Sequence, residues 1–537
     1  METLDKTTWD VLISGTGIRQ SLLALALSRS GKKVLHIDKN DYYGGPEAAF
    51  SLQEAQEWES KVARDTSPLF SNVKITQRPE QEQENRLKLS ASRAYSLSLS
   101  PQLIYSRSTL LSKLVSSKIY RQLEFLAVGS WWVYSPSGHE ASSDSAEPSQ
   151  GSKGTLSKVP SGREDVFEDQ ILDLRSKRAL MKFLRFVVDY ENQGDVWEEH
   201  RDKPFSIFLS ENFNLPTVLH DPILALTLSL KAPENTSTEY ALPRIARHLR
   251  SIGVFGPGFG AVLPRWGGVS EISQVACRAG AVGGAVYVLD KGLRDTLDRP
   301  VAQQMMDNVA SSPTTGTSVV LEGGETVRTQ WIAGSRVDLP ASVISSSEDG
   351  LHYSDLRVTT LSRSISIVGS PLESLFPDIA EGAPPPAGAV VFFPSGSLSV
   401  NGELELSSNR TPVYIFVHSS DSGECPSNQC VLYASCSTTS QEGSALLAEA
   451  VRQLLLALNG DPASILLWSL SYDHRAQDSK ELDCPPASYN DNTIAFSSSS
   501  SDLAFEDSVL EEVKLAWEKI MSGEPDAGDF MVISDPE

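Results

Sequence analysis

The first forty residues contain a strand, a tight glycine turn, a helix and a second strand, and this unit constrains the fold most strongly. The apolar run 11–14 predicts a buried strand, and Gly15 and Gly17 form the turn after it. Residues 18–30 lack Pro and Gly and carry regularly spaced apolar side chains, which predicts a helix. A second apolar run ends at Asp38. This order is typical of a dinucleotide-binding α/β fold, in which the acid contacts a ribose.

The glycine motif of this unit is incomplete. Gln20 stands where the third glycine of the dinucleotide motif allows helix and strand to pack closely. A glutamine at that position crowds both the entry to the helix and the approach of a pyrophosphate. Gly15, Gly17 and Asp38 therefore predict the fold more strongly than they predict a bound nucleotide, and we expect no cofactor.

A second glycine-bounded segment, Lys39-Asn-Asp-Tyr-Tyr-Gly-Gly45, follows directly. Together with Gly15-Thr-Gly17 and residues 31–38, it closely resembles the first signature block of the superfamily of Rab GDP-dissociation inhibitors and Rab escort proteins. That superfamily shares its fold with flavin amine oxidases, is not known for using the flavin, and also lacks the third glycine. The resemblance implies an α/β fold, with a discontinuous Rossmann-like sheet domain of the FAD/NAD(P)-binding type and an inserted helical subdomain.

Composition argues against several classes of partner and site. The net charge of −23 makes nucleic acid an unsuitable partner. The five cysteines and eight histidines show no spacing typical of a metal site, and the sequence carries no metalloprotease or serine-hydrolase motif. We therefore expect no metal and no catalytic residues. Because the sequence also lacks a signal peptide, a long apolar run and a C-terminal prenylation cysteine, we expect a soluble cytoplasmic protein.

Changes in residue pattern predict four consecutive parts. Residues 108–250 contain several amphipathic helical segments in succession, which must pack on one another. Within them, residues 135–162 are rich in Ser, Gly and Pro, which predicts a flexible insert. The predicted parts are a sheet domain that binds the partner (1–107), a helical subdomain (108–250), the second part of the sheet domain (251–500) and an acidic C-terminal helix and tail (501–537).

A second block, from residue 256 to residue 289, resembles the second strong block of the superfamily. Glu271, Gln274 and Arg278 are spaced i, i+3 and i+7, so they share one face of a predicted helix. In the family, this segment and the Tyr-Tyr-Gly-Gly loop form the platform that binds the Rab GTPase. From the residues alone, a self-satisfied row of surface charges is an equally good interpretation. Carried over by position, the platform residues are Tyr43, Arg93, Glu271, Gln274 and Arg278.

The predicted helix 177–191 looks more like escort proteins, in which this helical domain docks the geranylgeranyltransferase. Its apolar face is centred on Leu180, Leu184 and Val187. Phe186 lies roughly 130° from that centre at 100° per residue, which suggests contact with another protein. The alternative is a second packing neighbour within the domain. We take Phe183 and Phe186 as the candidate transferase-docking residues.

The resemblance implies the function of a Rab escort protein, of the fungal type. Such a protein binds newly made GDP-bound Rab, presents the Rab C-terminal cysteines to the geranylgeranyltransferase heterodimer, and keeps the prenylated Rab soluble for membrane delivery. A carrier is needed because an exposed geranylgeranyl chain costs on the order of 10 kcal/mol in water, at about 0.8 kcal/mol per methylene. The helical subdomain is the expected shelter for this chain, and contact with membranes is transient and made only through prenylated Rab. The alternatives are a recycling Rab GDP-dissociation inhibitor and, more remotely, a flavin-dependent oxidoreductase.

Overall fold

The fold is seen in a computed structural model of the 537-residue chain. The structure describes residues 4–64, 67–78, 88–136, 153–160, 173–297, 316–344, 358–378, 385–399, 411–458, 460–477, 487–490, 492–497, 500–524 and 528–533.

The α-helices in the described residues range from single turns to eighteen residues. They are α1 Ile18–Arg29, α2 Leu52–Arg64, α3 Thr109–Ser116, α4 Leu174–Val187, α5 Gly194–Trp197, α6 Phe205–Phe213, α7 His220–Ala225, α8 Thr238–Ser251, α9 Val269–Val282, α10 Ala341–Ile344, α11 Ser440–Ala457, α12 Pro462–Ile465 and α13 Ser508–Ile520.

The strands form two large sheets and one short pair. They are β1 Thr8–Ser14, β2 Val34–Ile37, β3 Ala49–Phe50, β4 Phe70–Gln77, β5 Leu97–Ser98, β6 Ile104–Tyr105, β7 Phe125–Ser135, β8 Thr155–Lys158, β9 Ala261–Pro264, β10 Val286–Val288, β11 Leu293–Leu297, β12 Thr317–Leu321, β13 Thr326–Ser335, β14 Val358–Val368, β15 Gly388–Phe393, β16 Val413–Ser419, β17 Cys430–Cys436, β18 Leu466–Gln477, β19 Ala487–Asn490 and β20 Thr493–Phe496.

The first sheet has a parallel centre in the order β10-β2-β1-β13-β20. β11 and β12 extend it as an antiparallel hairpin beside β13. Strands near the start of the chain thus lie in one sheet with a strand near its end, which confirms a discontinuous Rossmann-like sheet. Parallel strands that are covered on both faces have continuous apolar sequences. β2 is such a strand, because all four of its residues are buried.

The second sheet has, in the described residues, the order β4-β18-β14-β17-β16-β15-β7-β9-β6, with β8 paired to β7. α11 covers one face of this sheet, against β14 and β17. The helices α4 to α8 lie between β8 and β9 in the chain and share a core with the other face. The tyrosine hydroxyl of Tyr414 on β16 reaches them by donating to the carbonyl oxygens of Leu224 and Ala225 at 3.2 and 3.3 Å.

The last helix, α13, packs against α1 on the first sheet. Arg19 on α1 donates from Nε to Glu512 Oε2 at 2.5 Å, and both side chains are buried. The indole N–H of Trp517 also donates to Ser30 Oγ at 3.2 Å. The C-terminal helix is therefore a layer of the sheet domain.

The predicted elements and the structure differ in two places. Thr155–Lys158 forms a strand on β7 inside the range 135–162, where the composition predicts a flexible insert. The rest of that insert, apart from residues 135–136 and 153–160, lies outside the described residues. β7 itself falls in the range 108–250 but belongs to the second sheet. In the part of the chain that the structure describes, no helix is long and apolar enough to cross a membrane.

Candidate functional site

The turn between β1 and α1 is held together by Asp38, at the end of β2. Asp38 Oδ2 accepts from the Thr16 backbone N–H at 2.7 Å and from its hydroxyl at 2.6 Å. Asp38 Oδ1 accepts from the Asn40 backbone N–H and side-chain amide at 2.8 and 2.9 Å. The acid stands where the sequence predicts it, but both of its oxygens are used within the protein and not left for a ribose.

The space beside this turn is filled by the protein's own polar side chains. A Cβ on Gly15 would lie 2.3 Å from Asp338 Oδ2, and Gln20 donates its amide to the same oxygen at 3.3 Å. A Cβ on Gly17 would lie 3.0 Å from Gln20 Oε1 and 3.4 Å from Glu47 Oε2. The cavity beside Gly17 and Gln20 has a volume of about 20 Å³, which is room for about one water molecule. A second cavity of about 420 Å³ lies nearby, and Asn40, Gly45 and Asp338 are among its lining residues.

Electrostatics at the turn also oppose a phosphate group. Burial raises the pKa of Glu47 to about 7, against the opposing effect of Arg19. Burial and the nearby Asp338 raise the pKa of Asp38 to about 6. Above these pKa values both carboxyl groups are ionised, and a dinucleotide would then bring its phosphates beside them, where like charges repel at short range. The residues of the turn therefore do not fit a flavin or nicotinamide dinucleotide.

The three predicted helical platform residues share the outward face of α9. Arg278 is exposed, and Glu271 and Gln274 are half-buried. Arg278 donates from Nη2 to Glu271 Oε1 at 2.8 Å, and burial raises the pKa of Glu271 against the effect of this contact. Gln274 donates to Ser270 Oγ at 3.4 Å. The Glu271–Arg278 contact is what a self-satisfied row of surface charges predicts, and it leaves the Arg278 side chain 55% exposed at the surface.

The other two platform residues lie on loops that contact the start of α9. Tyr43 is half-buried, and a Cβ on its neighbour Gly44 would lie 3.0 Å from Ser270 Oγ. Arg93 is exposed on a short helical turn, and three residues later Ser96 donates to the carbonyl oxygen of Trp266 at 2.8 Å. The structure thus brings both loops to the same end of the helix.

The helical wheel places Phe186 away from the buried face of its helix. In the structure both Phe186 and Phe183 are buried. Phe183 is fully buried and Phe186 is 5% exposed. The Phe186 ring lies 5.8 Å from that of Phe208 and 5.1 Å from that of Phe213. Phe186 therefore contacts a second packing neighbour within the domain, which is the alternative named above. This neighbour is α6, which packs against α4 in the core that the helices share with the second sheet.

An open groove runs beside α4, with a volume of about 1160 Å³. Phe186 and Phe213 form part of its floor. Its walls carry Leu174, which is 74% exposed, and a row of basic side chains on α4. These basic residues are Lys177, Arg178, Lys182 and Arg185.

Comparison with known proteins gives consistent matches. Residues 4–299 match the family model described as GDP dissociation inhibitor. Rab proteins geranylgeranyltransferase component A from Saccharomyces cerevisiae is 32% identical over 437 residues, which cover 80% of this chain and 62% of that protein. Rab GDP-dissociation inhibitor from the same yeast is 26% identical over 306 residues, which cover 55% of this chain and 58% of that protein. This chain thus spans about three fifths of the length of both relatives.

Among solved structures, the fold is similar to that of Rab GDI from Plasmodium falciparum, with a TM-score of 0.61 and 18% identity over 96% of this chain and 98% of that one. An oxidoreductase from Methanosarcina mazei has a TM-score of 0.55 at 10% identity, over 95% of this chain and all of that one. At these identities the likeness concerns the fold alone. Because the family model matches more than half of its 537 residues, the chain belongs to the GDP dissociation inhibitor family.

Proposed function

We propose that this protein is a Rab escort protein, a non-catalytic partner of Rab geranylgeranyltransferase. It binds newly made GDP-bound Rab, presents the Rab C-terminal cysteines to the transferase, and keeps the prenylated Rab soluble. The observation that carries the proposal is the alignment with geranylgeranyltransferase component A over 80% of this chain, compared with 55% for the yeast Rab GDP-dissociation inhibitor.

The Rab GTPase binds at the platform formed by Tyr43, Arg93, Glu271, Gln274 and Arg278. The arrangement of these residues supports this, because an arginine held by a neighbouring carboxylate loses little conformational freedom on binding. Tyrosine and arginine are also the residue types that most often dominate the binding energy of an interface.

The dinucleotide turn supports a role in binding over a role in redox chemistry. Gln20, Glu47 and Asp338 occupy the space at the turn, and the carboxyl groups disfavour phosphate. The sheet domain then serves as a rigid frame for the platform loops. We propose that the protein acts without a cofactor or a metal, and that it meets membranes only through the prenylated Rab.

The transferase docks at the groove beside α4. Exposed Leu174 and half-buried Met181 offer apolar contact, and Lys182 and Arg185 offer positive charge on a protein whose net charge is −23. Asp189 and Glu211 also line the groove, but its basic side chains outnumber them, which suits an acidic surface with apolar side chains at its centre. Phe186 shapes the floor of the groove and Phe183 lies beneath it, so both residues contribute indirectly. The geranylgeranyl chain is sheltered by the same helical subdomain, whose core is rich in phenylalanine.

A charge-reversal experiment tests docking separately from Rab binding. The variant Lys182→Glu/Arg185→Glu should bind GDP-loaded Rab with wild-type affinity and support prenylation by the transferase heterodimer at least tenfold more slowly. Lys514→Glu, which reverses an exposed lysine on α13, is the matched control and should behave as wild type. An unchanged prenylation rate in the double variant would remove the groove from the docking surface.

The second candidate function is that of a recycling Rab GDP-dissociation inhibitor, which the match to the yeast inhibitor favours. The two functions differ in one measurable activity. A protein that binds prenylated Rab-GDP and extracts it from vesicles, yet fails to support prenylation by the transferase, is an inhibitor and not an escort protein.

A further inference from the structure

Trp266 lies between β9 and α9 in an unusual backbone conformation. Its φ angle is 66°, and the next two residues, Gly267 and Gly268, have φ angles of 127° and 64°. The left-handed region is unfavourable for a residue with a Cβ, and tryptophan has no local hydrogen bond to offset this cost. Its side chain is nevertheless 45% exposed. Such strain is maintained only where the surrounding structure fixes it, and it is common at binding sites.

The surroundings of Trp266 fix both its backbone and its ring. Its N–H donates to the carbonyl oxygen of Ser422 at 3.0 Å, and its own carbonyl accepts from Ser96 Oγ at 2.8 Å. The indole lies against Gly423, where a Cβ would come within 2.5 Å of Cδ1. The Arg265 guanidinium lies 4.7 Å from the ring centroid. The exposed part of the indole is therefore held in one orientation before any partner binds.

Trp266 lies where the two halves of the platform meet. Ser96, which binds its carbonyl, belongs to the loop that carries Arg93. Two residues after Trp266, Gly268 accepts from the Glu271 backbone N–H at 3.1 Å in the first turn of α9. Trp266 is thus joined by one hydrogen bond to the loop of Arg93 and lies three residues before the start of the helix that carries Glu271.

We propose that Trp266 is a further anchor residue of the Rab-binding platform. Its exposed indole packs against an apolar side chain of the GTPase, while Arg265 beside it is held by Glu124 of this chain, Nη1 to Oε2 at 2.8 Å, and supports the ring. Rigid aromatic residues at the centre of a polar surface are typical energetic anchors of interfaces. This inference rests on the proposed function, because it names a residue of the same binding surface.

The test compares binding of GDP-loaded Rab to the full-length wild-type protein and to Trp266→Asn, Trp266→Phe, Trp266→Leu and Arg278→Ala. Asparagine tolerates the left-handed conformation, so Trp266→Asn removes the ring without adding backbone strain. We expect Trp266→Asn to weaken binding at least tenfold at a near-wild-type melting temperature, and Trp266→Phe to retain most of the affinity. Val218→Ala, at a 67% exposed residue of the helical subdomain, is the control and should bind normally.

The outcomes distinguish a failure of the proposed function from a failure of the inference about Trp266. If the wild-type protein does not bind Rab-GDP, the proposed function fails and the inference fails with it. If Arg278→Ala weakens binding and a folded Trp266→Asn does not, the platform stands and the role of Trp266 is overturned. If Trp266→Asn melts far below wild type while folded Trp266→Phe and Trp266→Leu both bind normally, the residue only supports the loop.

Discussion

At the scale of single residues, Asp38 ends β2 where a dinucleotide-binding protein carries its ribose-binding acid, yet its carboxylate binds Thr16 and Asn40. The motif could be read from the sequence because strand, turn and helix are contiguous. The sequence could not show which side chain fills the space at the turn, because Asp338 comes from a loop more than 300 positions away. Gln20 alone gave the signal that the space was closed.

The buried carboxyl of Glu47 predicts a pH dependence of stability. Its pKa is raised from 4.5 to about 7 by burial. The unfolded chain therefore releases this proton first, and the folded state loses stability as the pH rises through this range. Glu47→Gln should abolish this loss, so that the variant gains about 2 kcal/mol over wild type between pH 5.5 and 8.

The measurement is the free energy of unfolding of Glu47→Gln and of wild type, obtained by denaturant unfolding between pH 5.5 and pH 8. Glu57→Gln, at an exposed glutamate on α2, provides the control and should parallel wild type. Starting at pH 5.5 keeps the protein away from its isoelectric point of about 4.8. Parallel curves for Glu47→Gln and wild type would contradict a raised pKa at this site.

The polar platform predicts a loss of Rab affinity without a loss of fold. Arg278→Ala and Tyr43→Ala should each weaken binding of Rab-GDP by about 2 kcal/mol, since both remove side chains from a surface and not from a core. Titration calorimetry measures the affinity and a thermal melt checks the fold. Arg452→Ala, which breaks an exposed ion pair on α11, should leave binding unchanged. Unchanged affinity in both platform variants would refute the assignment.

At the scale of elements, α4 shows where a helical wheel fails. The wheel assigns one buried face, but this helix contacts α6 and α8, so Phe186 is buried although it lies off the predicted face. Periodicity gives the helix and its main face correctly because these depend on local spacing. It cannot give the number of neighbours, which depends on how distant segments pack.

Phe186→Ala should therefore destabilise the protein. Truncating a buried phenylalanine that touches Phe208 and Phe213 removes core contacts and leaves a cavity, at a cost of about 3–5 kcal/mol. Met181→Ala, at a half-exposed position on the same helix, should cost clearly less. Chemical denaturation of both variants gives the comparison, and equal small losses would mean that Phe186 is not part of the core.

At the scale of the whole molecule, the sheet domain is closed by contacts between the two ends of the sequence. The sequence predicts a separate acidic helix and tail over 501–537, and in the structure this helix, α13, packs on α1 and pairs Glu512 with Arg19 across 493 positions. The platform is assembled in the same way. The row on α9 follows from spacing, but its meeting with the loops of Tyr43 and Arg93 depends on tertiary packing that only the family resemblance could suggest.

The Arg19–Glu512 pair predicts strong coupling between the ends of the chain. Glu512→Leu leaves the Arg19 guanidinium buried without its hydrogen-bonded partner and should cost about 3–5 kcal/mol, and Arg19→Met is the other single variant of the cycle. The double variant Arg19→Met/Glu512→Leu should recover most of this loss, because two apolar side chains replace the buried charges. A double-mutant cycle by denaturant unfolding measures the coupling, and additive losses would show that the pair is energetically independent.

The closed turn between β1 and α1 also bears on how this protein responds to vitamin supply. A protein that binds a flavin only when folded gains stability in proportion to the logarithm of free flavin concentration above its dissociation constant. Here Gln20, Glu47 and Asp338 take the place of that ligand within the chain itself. We therefore expect the folded fraction to be independent of the flavin concentration at this site.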